Sequence, residues 1–598
     1  MTNVRKYYRT RLQKLEKDEK SQKKKLRILG LIRLLTFVSI LSAVFVLIPE
    51  FIFTGIVLAV LLTIVFFAVV KINNNQSEKH QHLKALIRVN KDELKALDYN
   101  FSSFDPGYEY IKPEHPYSYD MDLFGEGSVF QYMNRTVTSG GKEKLAWLLS
   151  RETLESNSIL ARQESIKELV PVMDILQDFR ASGSLHTDRQ SDLSLLEEWI
   201  NKPVYYLHKK GFVFFAKALP LILLTSVMLA IFVPLFRNIS ILLFLLNLLI
   251  TGIRLSHTSK EHGLISKRLE ALKKYGYLLS IVEKESYTSS KLKYIFETLI
   301  SGPASAAHSI LGLSKIVSAF DNRLNLVAAI FLEGFLLWDI QCMLRLEKWR
   351  KNRGKLFKEW INQLSEYDAL ISLSTFAFNH PAYVYPGFSD TKILEARQLG
   401  HFLIPSNQRV CNDFSISRKG EFIIITGANM AGKSTFLRTA TTNLILAMTG
   451  APVCAEHFIF RPMPILSSMR TSDSLNKNES YFYAELKRLK EMLDRLKDKE
   501  DLFVILDEIL KGTNSIDKQK GSRSALKQIL KHNGTGIIAT HDLELAKIEK
   551  EFPERIRNLC FEIEINKADI AFDYKLRKGI TTKMNALLLM QQMGILEE

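Results

Sequence analysis

Residues 421–440, EFIIITGANMAGKSTFLRTA, decide how the chain is read. An apolar run, FIIIT, has the composition of a buried strand, and TFLRTATTNLILAM after it has the spacing of a helix. Between them Gly427, Ala428, Asn429, Met430, Ala431, Gly432, Lys433 and Ser434 fit G-x-x-x-x-G-K-[ST], with Thr435 following. Glycines at both ends let the backbone N–H groups turn inward around phosphate oxygens at a helix N-terminus. Lys433 then supplies a point charge for the β- and γ-phosphates, and the Ser434 hydroxyl completes a Mg²⁺ shell. ATP with Mg²⁺ is the cofactor pair this pattern predicts.

Some seventy residues on, LFVILDE ends in Asp507 and Glu508. Two carboxylates at the end of a buried strand are costly unless they meet a metal or do chemistry. Asp507 is expected to hold Mg²⁺ through water, and Glu508 to orient or deprotonate the attacking water. The next strand-like run, GIIAT, delivers His541, a candidate sensor of the γ-phosphate and the third catalytic candidate beside Glu508 and Lys433.

Working outward, short β-rich runs alternate with helical stretches from about residue 385, which predicts an α/β phosphate-loop ATPase domain over 385–598. Upstream, 72–211 and 255–384 have helical spacing and read as an all-α core and lever. Two apolar pairs interrupt that pattern. Residues 31–48 and 51–70, separated by Pro49 and Glu50, each span roughly 27–30 Å as helices, enough to cross a bilayer. Residues 212–235 and 239–253, joined by Phe236, Arg237 and Asn238, repeat the arrangement, although 239–253 also suits a buried core helix. These predict transmembrane hairpins over 31–71 and 212–254, with the lipid bilayer as a partner. The run at 326–338 is expected to be a core helix because Glu333 interrupts it.

Residues 1–33 carry twelve Lys/Arg against three acidic residues, much of the chain's formal +17, so 1–30 reads as a basic cytoplasmic arm. The positive-inside bias then puts the arm, 72–211 and everything after 254 on the cytoplasmic side of a multi-pass inner membrane protein. Four scattered cysteines exclude a C-x-x-C site and suit a reducing compartment.

TGANMAGKST, DEILKGTNSID and ATHDLEL resemble the ATPase domain of the MutS family of ABC-type ATPases, with Asn429 and Met430 as the discriminating pair. DLFGEGSVFQYMNRTVTSGGKEKLAWLL (122–149) is similar to the opening of that family's helical core, ARQES (161–165) to its R-Q motif, and 574–595 to its C-terminal dimerisation segment. The resemblance implies an ATP hydrolase completed across a homodimer. Ser480, in ESYFYAEL, matches the serine that meets the γ-phosphate of the opposite subunit, while Asn412 and Asp413 match an N-D pair ahead of the loop. It also implies a clamp on double-stranded DNA related to mismatch repair. The family's mispair-recognition domain, with its Phe-x-Glu wedge, has no counterpart before residue 100, where the basic arm and first hairpin lie. A second reading keeps the ATPase but gives it mechanical work on lipid or a membrane protein, without nucleic acid. A basic stripe within 255–375, with Trp349 and Trp360 interleaved, is the feature that discriminates them.

Overall fold

The computed structural model describes residues 2–152, 155–186, 188–470, 481–566 and 569–582. Among the described residues the C-terminal part has ten strands: β1 Gly387–Phe388, β2 Leu394–Leu399, β3 Asn412–Ile416, β4 Phe422–Gly427, β5 His457–Phe460, β6 Ile465–Ser468, β7 Phe503–Asp507, β8 Thr535–Thr540, β9 Ile556–Asn566 and β10 Asp569–Lys578. Six of them form a sheet in the order β10-β9-β4-β8-β7-β6, parallel except for the antiparallel edge strand β10. A smaller mixed sheet runs β1-β5-β2-β3. All six residues of β4 are buried, as a strand covered on both faces requires. Thr426 sits opposite Thr540, and Asp507 opposite Ala539, so β4, β8 and β7 end side by side at one edge of the sheet. That shared edge is where parallel sheets expose their loops to ligands.

The helical part packs on a 42-residue spine, Trp338–Asn379, whose second half is almost wholly buried. The spine comes so close to the Ser139–Ser150 helix that a Cβ on Gly141 would lie 2.2 Å from Asp368 Oδ2. Asp368 uses that proximity to accept bonds from Thr138 N at 2.8 Å and Thr138 Oγ1 at 2.6 Å. The ARQES segment joins the two parts: Arg162 donates to Thr449 O at 3.1 Å and Gln163 to Pro386 O at 2.9 Å.

The first apolar pair forms an antiparallel hairpin of Thr2–Ser42 and Ile52–Ala96, turning through residues 43–51. At that turn Gly55 meets Ile48 so closely that a Cβ would lie 2.7 Å from Ile48 N. The basic arm is the beginning of the first helix, and the boundaries expected at 30/31 and 71/72 fall inside continuous helices. The hairpin's base is fixed at a buried cluster. Glu93 takes Arg135 Nε at 2.6 Å, Arg180 Nη1 at 2.7 Å and Asn379 Nδ2 at 2.9 Å, and Tyr8 donates to Asn379 Oδ1 at 2.8 Å. Burial alone would raise the Glu93 carboxyl, but the Arg135 and Arg180 guanidiniums outweigh it and hold the group at about 2.

In the second pair the break lies at 230–234, between Lys210–Leu229 and Leu235–Ser266, and Phe236, Arg237 and Asn238 belong to the second helix. Pro234 explains the shift, because it starts a helix readily and continues one poorly. The run expected to be a core helix is a short helix, Leu326–Leu336, bent 75° from the spine, with Leu326, Val327, Ile330 and Phe331 exposed. Only Glu333 and Gly334 of this helix are buried. Among the described residues four helices are long and apolar enough to cross a membrane, or five if the bent pair counts as one span.

Candidate functional site

The loop after β4 turns on Gly432, at φ +100°, directly before the Lys433–Thr449 helix, whose N-terminus therefore faces the loop. Lys433 reaches back to donate to Gly427 O at 2.9 Å and Ala428 O at 3.0 Å. Burial pulls its ammonium down to about 8, with the Glu508 and Asp507 carboxylates opposing the shift. His541, from the end of β8, bridges the same loop to β7. Its Nδ1 lies 2.9 Å from Gly427 O, which can only accept, and its Nε2 lies 2.5 Å from Glu508 Oε1. That contact with His541 holds the Glu508 carboxyl at about 2.

Lys433, Glu508 and His541 thus lie together at the end of the sheet, and the parallel register explains why. The cleft they line, about 550 Å³, also holds Asn429, Met430, Gly432, Ser434 and Thr435. Asn429, Met430, Ser434 and Thr435 are exposed, whereas Ala428 and Ala431 are buried and support the loop from behind. Asp507 is 9% exposed at the end of β7, one residue before Glu508 and off the cleft lining. An exposed hydroxyl at Ser434 and a carboxylate at Asp507 are the hard oxygen donors Mg²⁺ prefers. Among the described residues no group of three or more His, Cys, Asp or Glu is placed to hold a metal. The donor set therefore fits an ion that takes its remaining ligands from water and phosphate.

Two positions expected from resemblance behave differently. Asn412 is at the cleft, donating to Tyr574 O at 3.0 Å and accepting from Leu576 N at 2.8 Å. Asp413 instead accepts from Gln398 N at 2.8 Å and props the irregular β2–β3 pairing. Ser480 lies outside the described residues, as do 583–598 of the C-terminal segment.

Three residues were not singled out from the sequence as site groups. Tyr574, at φ +53°, sits where the β9–β10 register slips between Phe572 and Leu576, and it lies over the loop so that a Cβ on Gly432 would be 3.0 Å from its ring. His401 stacks on Phe402 in the cleft wall, its imidazole pushed down to about 4 by burial and by Arg409 and Arg438. Glu485, buried on the Tyr481–Lys497 helix, accepts from Leu510 N at 2.5 Å and Lys511 N at 3.1 Å. It thereby grips a turn in which Glu508 and Leu510 both adopt left-handed backbone angles, φ +53° and +60°. The signal for Glu485 was present in ESYFYAEL. LGHFLI (399–404) places His401 where the resembled family often has Gly-His-Pro, but lacks the proline; Tyr574 gave no such signal, since only tertiary pairing brings it to the loop.

Residues 423–596 match the family model of MutS domain V. MutS protein homolog 4 of Homo sapiens is 32% identical over 213 residues, 34% of this chain and 22% of that protein. The DNA mismatch repair proteins MutS of Fusobacterium nucleatum and Ehrlichia chaffeensis are each 31% identical, over 248 and 273 residues, covering 40% and 45% of this chain and 27% and 32% of theirs. The chain spans about a quarter to a third of the length of these relatives. The likeness is thus to the MutS family, with the match to its domain V over residues 423–596.

Proposed function

We propose that this chain is a MutS-like ATP hydrolase of the phosphate-loop type, anchored in the cytoplasmic membrane by its helical hairpins, which works with Mg²⁺ as a homodimer. The observation that carries the reading is that Lys433 and His541 both reach the loop carbonyl of Gly427 while His541 holds Glu508 on its other nitrogen. The loop N–H groups and Lys433 bind the triphosphate. Ser434 and Asp507 would hold Mg²⁺, which neutralises phosphate charge when bound. Held at about 2, Glu508 is fully ionised at neutral pH, so it orients and polarises the attacking water rather than acting as a strong base. His541 fixes that carboxylate and ties it to the loop, and Ser480 of the partner subunit completes the site. Replacing Glu508 with Gln should leave nucleotide binding intact and abolish turnover; turnover persisting in E508Q would remove Glu508 from its role.

Hydrolysis opens and closes the helical arms, and duplex DNA is the substrate this reading carries over from relatives named as mismatch repair proteins. One feature of the spine favours it. Arg345, Lys348, Lys351, Lys355 and Lys358 are exposed, and at 100° per residue they share a band of about 140°. The tryptophans take no part: Trp360 is fully buried, and Trp349, also buried, donates to Ser309 O at 2.8 Å. Such a stripe binds phosphates without reading sequence. The second reading, mechanical work on the membrane, is favoured by the docking of the first hairpin at Glu93 and Asn379, beside the end of the spine. Salt-dependent retention of duplex DNA by the full chain, compared with anionic vesicles, separates the two. Neutralising the five cations should abolish DNA retention and spare vesicle binding. Loss of vesicle binding alone, or no DNA retention by the wild type, removes the DNA role.

A further inference from the structure

The bend between Leu326–Leu336 and the spine encloses polar groups that nothing above uses. Leu337 at the bend is buried with a left-handed backbone, φ +52°. Glu333, 7% exposed, accepts from Asp339 N at 3.0 Å, capping the first turn of the spine, and from Thr251 Oγ1 at 3.0 Å. Asp339, 1% exposed, takes Arg323 Nη1 at 3.1 Å and Thr258 Oγ1 at 3.4 Å on its Oδ2. The helix carrying Thr251 and Thr258 is the second of the second apolar pair, and it also sends Asn247 to donate to Gly334 O at 2.8 Å. Two fully buried acceptors are left over: Asp339 Oδ1 and Asn247 Oδ1 have no donor.

We propose that Glu333 and Asp339 form a proton-binding site at this bend, the two carboxyls sharing one proton. Over the elements that pack there the charges do not balance, for Arg254 of the Leu235–Ser266 helix is turned away to Tyr205 Oη at 3.2 Å and the Phe212 ring. The Asp339 N–H reaches both Glu333 carboxylate oxygens, at 3.0 and 3.3 Å, which holds the two buried carboxyls side by side. Arg323, from the 321–324 turn, is the one cation among the described residues paired with these carboxyls, its Nη1 3.1 Å from Asp339 Oδ2. Asp321 of that turn is taken by His262 at 2.7 Å, Arg345 is exposed over the Trp338 ring, and Cys342 on the spine is neutral and buried. One guanidinium against two carboxylates leaves a buried negative charge beside apolar helices, and a proton removes it while supplying the missing donor. The Glu93 cluster is the built-in contrast, an equally buried carboxylate with two guanidiniums and no need of a proton. Because Glu333 caps the spine's first turn, the proton sits at one end of the helix whose other end leads into the ATPase sheet.

The test uses the full-length protein in lipid nanodiscs and dicyclohexylcarbodiimide. The reagent takes the carboxyl proton onto its nitrogen while the carboxylate oxygen adds to its central carbon, so it marks protonated carboxyls in apolar surroundings. Peptide mass spectrometry should place the label on Glu333 or Asp339 at neutral pH, with at least a fivefold fall by pH 9, and leave Glu93 unlabelled throughout. Glu333→Gln should abolish the label while nucleotide binding and melting temperature hold. If that variant does not fold, the wild-type pH profile and the Glu93 contrast decide alone. Absence of label from both carboxyls at neutral pH in folded protein, a label indifferent to pH, or equal labelling of Glu93 overturns the proposal.

Discussion

Replacing Glu485 with Ala should separate nucleotide binding from hydrolysis. Its carboxylate satisfies two buried backbone donors, Leu510 N and Lys511 N, in a turn that holds Glu508 and Leu510 at positive φ. Left-handed backbone costs about 1–2 kcal/mol for a residue with a side chain, so the two positions together store about 2–4 kcal/mol. Each N–H left without an acceptor forfeits about 1–3 kcal/mol, comparable to that strain. Without Glu485 the turn relaxes, and Glu508 leaves the position from which it meets His541. If about half the stored energy appears in the activation barrier, about 1–2 kcal/mol, kcat falls about 5- to 30-fold. The phosphate loop and Lys433 do not touch this turn, so the Kd for a fluorescent ATP analogue should stay within about threefold of wild type. Glu485→Gln retains one acceptor oxygen and should fall between Ala and wild type. Steady-state turnover at saturating ATP, nucleotide titration and a melting curve on each variant complete the assay. A kcat within twofold of wild type in folded E485A, or a Kd that weakens as much as kcat falls, refutes the reasoning.

Lys433 sets a pH limit on binding. Burial holds its ammonium at about 8, and a bound phosphate favours the charged form, so affinity for ATP should be level below about pH 8 and fall above it, by at most tenfold per pH unit. Titrations from pH 7 to 10 check this, and an affinity that rises with pH contradicts it. Arg135→Met leaves Glu93 with one guanidinium, and breaking a buried pair in this way costs about 3–5 kcal/mol. Glu93 titrates at about 2 in the folded chain, below its ordinary 4.5, so the stability it contributes is present above about pH 4.5 and lost as pH falls towards 2. In the variant that acid loss should begin at higher pH, read from melting temperature against pH. Gly141→Ala drives a methyl into Asp368 and should cost about 1–3 kcal/mol of stability, read as a lower melting temperature, with the phosphate loop unaffected in nucleotide titrations.

What could be read without coordinates was what neighbouring residues specify together. The phosphate loop is one continuous stretch, and Glu508 and His541 each follow an unmistakable buried strand, so a parallel sheet alone brings them to Gly427. Tyr574 illustrates the opposite case: it reaches the loop because an antiparallel edge strand slips register, which no local pattern announces. The tryptophans of the spine were misleading for a related reason. Interleaved with basic residues they look like a stacking surface, yet at helical spacing they fall on the face that packs against the core. The break near Pro234 was displaced because an apolar run says where a helix is greasy and little about where it stops.

The spine itself shows why these errors matter mechanically. At 1.5 Å per residue its 42 residues extend about 63 Å, and its one internal glycine, Gly354, is packed tightly enough that a Cβ would lie 2.7 Å from Ile200. A helix without a proline or a loose glycine does not absorb displacement by kinking. Motion imposed at Asn379, beside the Glu93 cluster and the entry to the ATPase sheet, is therefore delivered at Asp339. The first hairpin is tied to the same end through Tyr8 and Glu93, so one displacement loads both apolar assemblies together. Should nucleotide binding displace Asn379 and the strut carry that displacement to Asp339, nucleotide state and protonation of the carboxyl pair would influence each other equally, since binding free energies couple reciprocally.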